Sequence, residues 1–235
     1  MRMRLERDSL GQYEVPFYAR FGIQTQRAID NYRISGYRAH PQIIRAMGMI
    51  KKAAVVVNYE LRLIDEKRAN VIRRGAEEVI EGKWNAKFLV DVCQAGAGVP
   101  FHMNANEVIA NRAIELLGGG RGDYALCHSN DYANCSQSTN DAFPTAMRLA
   151  SVFLIDGVIR EVVILVKSFS RKARAFDHVL KSGRMRLRDA VPIRLGQEFS
   201  AYSTAMNRCE GMLEYSLGLL KEVGLGGGHR SEYAS

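Results

Sequence analysis

This 235-residue chain has four cysteines, Cys93, Cys127, Cys135 and Cys209, and no two of them form a C-x-x-C pair or a framework spacing. They read as free thiols of a reducing cytoplasm. No run of eighteen apolar residues occurs, so no membrane-spanning helix is expected. The basic start, Met1-Arg2-Met3-Arg4-Leu5-Glu6-Arg7, has no apolar stretch of the kind a secretory signal carries. The glycines do not fall into a dinucleotide fingerprint, and no Gly-Lys-Ser/Thr closes a phosphate loop. A hydrolase triad lacks its G-x-S-x-G elbow. Cys93, His102, Cys127, His128 and Cys135 match no metal-ligand spacing, so neither a metal nor a cofactor is expected.

What is present is ordinary in bulk and uneven in detail. Hydrophobic residues make up 47% and charged residues 25%, enough for one large domain or two small ones with a full core. The net charge of +8 is concentrated. Between Lys167 and Arg194 nine basic residues face only Asp177 and Asp189. Such a stripe can attract nucleic acid, but it lacks interleaved aromatics and any nucleic-acid motif. A solvated face or a funnel for an anionic substrate is the commoner meaning, and no nucleic-acid partner is expected.

Most of the chain reads as helix. Pro41 follows His40 where a helix can begin, with Ile43, Ile44, Met47, Ile50, Ala54 and Val57 at helical spacing. Asp65 is a cap for a helix that stops at Gly82. Asn104 and Glu107 have the spacing of a capping box opening a helix that ends near Gly118. Residues 119–140 should be loop, and Phe88 to Val92 is the one tolerable strand. One long helix is expected from about Phe143 to Leu180, and another from about Leu195 to Val223. The first is apolar on several faces, through Phe153, Leu154, Ile155, Val158, Val162, Leu165 and their neighbours. A helix apolar nearly all round must be covered nearly all round, so a bundle built from several copies is expected.

Three polar loops beside helix ends could hold chemistry. Gln94-Ala95-Gly96-Ala97-Gly98-Val99-Pro100 is small enough for a ligand to approach its backbone, or is a structural turn. Ser136-Gln137-Ser138-Thr139-Asn140-Asp141 runs into the long helix, where free N–H groups favour an anion; capping alone is the alternative. Gly183-Arg184-Met185-Arg186-Leu187-Arg188-Asp189-Ala190-Val191-Pro192 is a tight reversal between two long helices whose arginines could clamp a carboxylate or face solvent.

These segments resemble the aspartase/fumarase superfamily. The motifs are Asn104-Ala105-Asn106-Glu107-Val108-Ile109-Ala110-Asn111-Arg112-Ala113, Ser136 through Asp141, Asp189-Ala190-Val191-Pro192 and Leu195-Gly196-Gln197-Glu198-Phe199, in that order, with Glu14-Val15-Pro16 and Gly22-Ile23-Gln24-Thr25 before them. Ser138-Thr139-Asn140 and Asp189 to Pro192 are similar to aspartase more than to fumarase. The resemblance covers residues 4 to about 225 and implies a mainly α protein. Its N-terminal lyase domain would span residues 1–142, and residues 143–235 would form part of a multi-subunit central helix bundle. It further implies a cytoplasmic homotetramer that eliminates ammonia from L-aspartate to give fumarate, with substrate held by Ser138, Thr139 and Asn140.

The departures are equally specific. The family's Thr-Ser pair after the glycine loop is Val99-Pro100 here, and its Thr-His or Thr-Gln in the third loop is Met185-Arg186. Arg188 replaces a glutamine. After Leu225-Gly226-Gly227 the match rejoins only at Glu232-Tyr233, and the serine loop that supplies the family's base has no counterpart before Ser235. No catalytic residue is therefore assigned. The expectation is a truncated or divergent aspartase-type lyase with impaired catalysis; the alternative is a non-catalytic oligomeric relative that binds small dicarboxylates or assembles with other chains.

Overall fold

The computed structural model describes residues 2–227, so the family match at Glu232-Tyr233 lies outside the described residues. The chain is mainly α. Two hairpins interrupt the helices: β1 (Met3–Asp8) with β2 (Gly11–Pro16), and β3 (Leu180–Met185) with β4 (Arg188–Arg194). The helices are α1 (Ile23–Asn31), α2 (Pro41–Glu60), α3 (Glu66–Ile80), α4 (Val99–Leu116), α5 (Thr139–Ala175) and α6 (Leu195–Leu220). Among the described residues, contacts divide the chain into a first unit, residues 2–150 together with 223–227, and a second, Ser151–Glu222.

The first unit is built around α4. Thirteen of its eighteen residues are buried, from Phe101 to Asn111 without a break. α3 and α1 pack against it, and α2 packs on α3. Such a helix cannot be amphipathic, so its polar side chains must find partners inside the protein. Asn104 accepts from the Leu89 N–H at 3.1 Å and donates to the Lys87 carbonyl at 3.1 Å. Asn111 donates to the Arg20 carbonyl at 2.9 Å and accepts from the Gly122 N–H at 2.8 Å. Arg112 forks onto Glu78 of α3 at 2.7 and 2.9 Å.

Glu107 does the most. Its carboxylate accepts from the backbone N–H groups of Gly22 at 2.8 Å, Gln24 at 2.9 Å and Thr25 at 3.0 Å. Glu6 of β1 takes the Ile23 N–H at 2.8 Å. The donors that the start of α1 leaves open are thus met by two carboxylates from other elements, since Gly22 has no side chain with which to cap. Gly22 is also required by space, because an added Cβ would lie 2.9 Å from the Glu107 carboxylate. Arg4 closes the arrangement, donating to Glu6 at 2.7 Å and to the carbonyls of Ala19 at 2.7 Å and Phe21 at 2.6 Å.

Several expectations need correction. Asn104 and Glu107 open no helix. α4 begins at Val99, and Pro100 fits its first turn because no helical N–H partner is needed there. Phe88 to Val92 is not a strand but passes from a 3₁₀ turn (Asn85–Lys87) to a single bridge between Arg38 and Asp91. Strands occur instead at the N-terminal hairpin and in the third loop, where Arg186 (φ 48°) and Leu187 (φ 64°) form the two-residue tip. The long helix starts at Thr139 and ends at Ala175, with Pro144 inside it. Residues 119–140 include one π-helical turn, Ser129–Ala133. α6 ends at Leu220, short of Val223. The buried stripe of α2 runs through Ile44, Met47, Ile50, Lys51, Val55 and Asn58, leaving Val57 exposed.

In the second unit α6 starts against the end of α5. Leu195 and Gly196 donate backbone bonds to Val179 and Phe176 at 2.8 and 3.0 Å. Phe169, Phe176, Phe199 and Tyr202 cluster between the two helices. Beyond Ala150 no residue of α5 is buried, and Leu154 (44%), Val158 (50%) and Ile164 (56%) are open along it.

Replacing Glu107 tests the frame. Glu107→Ala would strand three backbone donors, at about 1–3 kcal/mol each, so urea denaturation should register a loss on the order of 4 kcal/mol. Burial pushes the Glu107 carboxyl up to about 7 from 4.5, against the pull of the three N–H groups. Between those values the folded state holds a proton that the unfolded state has released. The contribution is full below pH 4.5 and is lost as pH rises through 7, on the order of 3 kcal/mol in all. The stability difference between wild type and Glu107→Gln should shrink by that amount from pH 5 to 8. A constant difference would mean that the carboxyl is ionised throughout.

Candidate functional site

Two of the three polar loops meet in the first unit. The glycine loop turns through three consecutive left-handed residues, Gly96 (φ 80°), Ala97 (φ 49°) and Gly98 (φ 89°). A side chain at Gly98 would drive into the Phe143 ring, so the loop lies directly on the first turns of α5. Gln94 staples it, donating to the Asp91 carbonyl at 2.8 Å and accepting from the Phe101 N–H at 2.8 Å. Asp91 in turn gathers Ser35 N–H and Oγ, Gly36 N–H and Cys93 N–H at 2.7–2.8 Å. These donors, the Ser35 hydroxyl first, hold its carboxyl well below the usual range.

The start of α4 has no donor to spare. Val99 N–H bonds to the Gly96 carbonyl at 3.0 Å, Pro100 has no N–H, and His102 N–H bonds to the Gly98 carbonyl at 3.0 Å. With Phe101 N–H held by Gln94, the first turn of α4 presents the exposed Val99 side chain (42%) and no free backbone donor.

The mouth of α5 is different. Ser138 is its cap, and Asp141 reaches back to accept from the Ser138 N–H at 3.1 Å, one half of a capping box. The Ser138 hydroxyl accepts only a long bond from Asn140 N–H at 3.4 Å, and Asn140 is exposed. Asp141 is buried and also accepts from the Gly226 N–H at 3.0 Å. Capping therefore uses Ser138 and Asp141, while the half-buried Thr139 hydroxyl turns inward to His102 Nδ1 at 2.7 Å.

His102 continues the chain inward. Its Nε2 lies 2.6 Å from Lys51 Nζ, and Lys51 donates to Asn134 Oδ1 at 3.0 Å. Asn134 is oriented by donating to the Gln137 carbonyl at 3.3 Å. Lys51 and His102 are both about 1% exposed. Burial drives the Lys51 ammonium well below the usual lysine value, with Asp141 pulling the other way. Burial also lowers His102, and the neighbouring Lys51 lowers it further.

The expected residues fall as follows. Val99, Ser138, Thr139 and Asn140 lie at the adjoining ends of α4 and α5. Met185 and Arg186 belong to the second unit, where Met185 is 70% exposed and Arg186 sits at the hairpin tip. Sequence reasoning missed Lys51 and passed over His102 as one of five scattered metal candidates. A signal for Lys51 existed: it is seven residues from Ile44 and four from both Met47 and Val55, a lysine on the apolar stripe of α2. Among the described residues no group of three His, Cys, Asp or Glu side chains is placed to hold a metal ion.

A family profile described as lyase matches residues 11–232. An aspartate ammonia-lyase from a Bacillus species is 48% identical over 206 residues, covering 88% of this chain and 44% of the relative. The class II fumarate hydratase of Halobacterium salinarum is 48% identical over 225 residues, covering 95% and 48%. A solved Brucella melitensis structure titled fumarate lyase:delta crystallin is 46% identical, with a TM-score of 0.89 over 96% of this chain and 53% of its own. The chain spans about half the length of the curated relatives it matches.

Proposed function

The chain belongs to the lyase family that includes aspartate ammonia-lyases and class II fumarate hydratases, and from that premise we propose that the mouth of α5 binds one carboxylate of an aspartate- or fumarate-like substrate. The observation that carries this reading is the Thr139 hydroxyl, half-buried at a helix N-terminus and backed by His102 at 2.7 Å. A carboxylate placed there meets that hydroxyl, the Ser138 hydroxyl and the positive end of α5. The Asn140 amide, exposed beside them, would meet the substrate amino group or second carboxylate. Within the family the reaction assigned to this chain is aspartase-type, L-aspartate to fumarate and ammonia.

The same geometry argues for impaired turnover. Val99 and Pro100 put an apolar wall where a carboxylate needs donors, and a carboxylate resting on it loses hydrogen bonds it had in water. The non-catalytic dicarboxylate-binding reading is favoured by this one feature. Met185 and Arg186 enter as third-loop positions of the second unit, and Arg186 offers a carboxylate a forked pair of donors only where assembly with other chains brings such a loop to the pocket. The homotetramer, the cytoplasmic setting supported by four free cysteines, and the division at residues 142 and 143 are parts of the same proposal. Among the described residues no helix is long and apolar enough to cross a membrane.

Succinate binding tests the site. Affinity should be millimolar, worth about 4 kcal/mol, and visible as a rise in melting temperature. Ser138→Ala/Thr139→Val should abolish the rise; an identical response would reduce those residues to a helix cap. Val99→Thr/Pro100→Ser should tighten binding about tenfold, since a hydrogen bond to a charged group contributes about 1.5–3 kcal/mol. With donors missing, turnover of L-aspartate followed by fumarate absorbance should fall about 10²–10³ below ~10 s⁻¹. Turnover within tenfold of that value contradicts the impairment.

The apolar face of α5 supports self-association. Leu154, Val158 and Leu165 lie exposed on one side of α5, with the half-buried Val162 between them. Light scattering at micromolar concentration should show dimers or larger species, and Val162→Glu/Leu165→Glu should dissociate or unfold them. A wild-type monomer that melts cooperatively excludes this part of the proposal.

A further inference from the structure

The proposed carboxylate site uses His102 only as a backing for Thr139, yet behind His102 lies the buried Lys51, and the pair ends on the hydroxyl that the site depends on. Its hydrogen-bond logic is restrictive. An ammonium has three donors and no acceptor. A charged Lys51 must therefore donate to both Asn134 Oδ1 and His102 Nε2. His102 then carries its proton on Nδ1 and donates it to Thr139 Oγ1. Thr139 accepts, and its own hydrogen is left to point out of the protein toward an anion.

A neutral Lys51 permits the reverse. The amine lone pair can accept from Nε2–H, which leaves Nδ1 as an acceptor for the Thr139 hydroxyl. Burial favours that arrangement, because it places no charge in the protein interior. The Thr139 hydrogen is then spent inside the protein, and the outward face of the oxygen is its lone pairs, which repel a carboxylate.

We infer that Lys51 and His102 are positioning residues that set the direction of the Thr139 hydroxyl, and that a dicarboxylate binding there draws one proton into the pair. This rests on the proposed reading of the α5 mouth. The ionisable groups facing the pair are few. Lys51 comes from α2, His102 from α4 and Asp141 from the first turn of α5. The segment between α4 and α5 meets the pair through Asn134, an uncharged amide. Lys52 points elsewhere, to Glu77 at 3.0 Å. Burial holds the free pair neutral at a pH where an exposed lysine would be charged, and an arriving dianion shifts the balance toward the charged form.

Calorimetric titration of the 235-residue protein with succinate, in phosphate and in Tris at one pH, reads the proton directly. Uptake approaching one proton per succinate is expected, with Kd rising by up to about tenfold per unit of rising pH. Lys51→Met, which replaces the cation with an apolar chain of similar length, should abolish uptake and flatten the pH profile. Thr139→Ser should keep both. Without any substitution, the ¹⁵N shifts of His102 should report Nδ1–H in the succinate complex. Binding with no uptake, or with His102 protonated on Nε2 alone, overturns the inference and leaves the dicarboxylate site standing. No binding at any pH removes the site itself, and the inference with it.

Discussion

The constraint on which the first unit depends is that α4 is buried on almost every side while carrying three asparagines, a glutamate and an arginine on its inner turns. Buried polar groups left unpaired each cost about 1–3 kcal/mol. Asn104, Glu107 and Asn111 find partners fixed in place, while the Asn106 amide meets only the Met103 sulfur at 3.4 Å and its Oδ1 has no partner. The partners of Asn104, Glu107 and Asn111 are largely backbone groups of distant segments: residues 87 and 89, 22 to 25, and 20 and 122. One helix thereby sets the positions of the N-terminal hairpin, α1 and the loop after Gly118. The family's most recognisable motif is, in this chain, a set of internal fastenings.

The functional reading follows from the same helix. Its head carries Val99 and Pro100, and one turn in it carries His102, directly under Thr139. The burial that demands partners for Asn104 and Glu107 also demands them for His102 and Lys51. Here the partner available is a side-chain hydroxyl at the mouth of α5, so a structural requirement reaches the surface as a property of the site. Asp141 serves both sides, closing the cap on Ser138 and lending negative charge to Lys51.

Much of this was legible in the sequence where local chemistry decides. Pro41 starts α2, and Asp65 caps α3 through the Arg68 N–H at 3.0 Å, both as local rules require. The length of α5 was readable because no neighbour is needed to see it. What failed depended on distant partners. Asn104 and Glu107 have capping spacing but cap other elements, since burial overrides a local motif. Met3 to Pro16 alternates too many charges to read as a strand, because Arg4 and Glu6 pair inward with backbone and each other. Lys51 on an apolar stripe was visible, but its meaning required His102 from a helix fifty residues away.

Native-state hydrogen exchange measures the dependence on α4 most directly. First-turn amides of a helix normally lack partners and exchange through local fraying. With Glu107 holding them, the amides of Gln24 and Thr25 should exchange only when the first unit unfolds, with the same free energy and denaturant dependence as Ile109 at the centre of α4. Exchange of Gln24 and Thr25 several kcal/mol more easily than Ile109 would contradict the account, because α1 could then detach while α4 stayed in place.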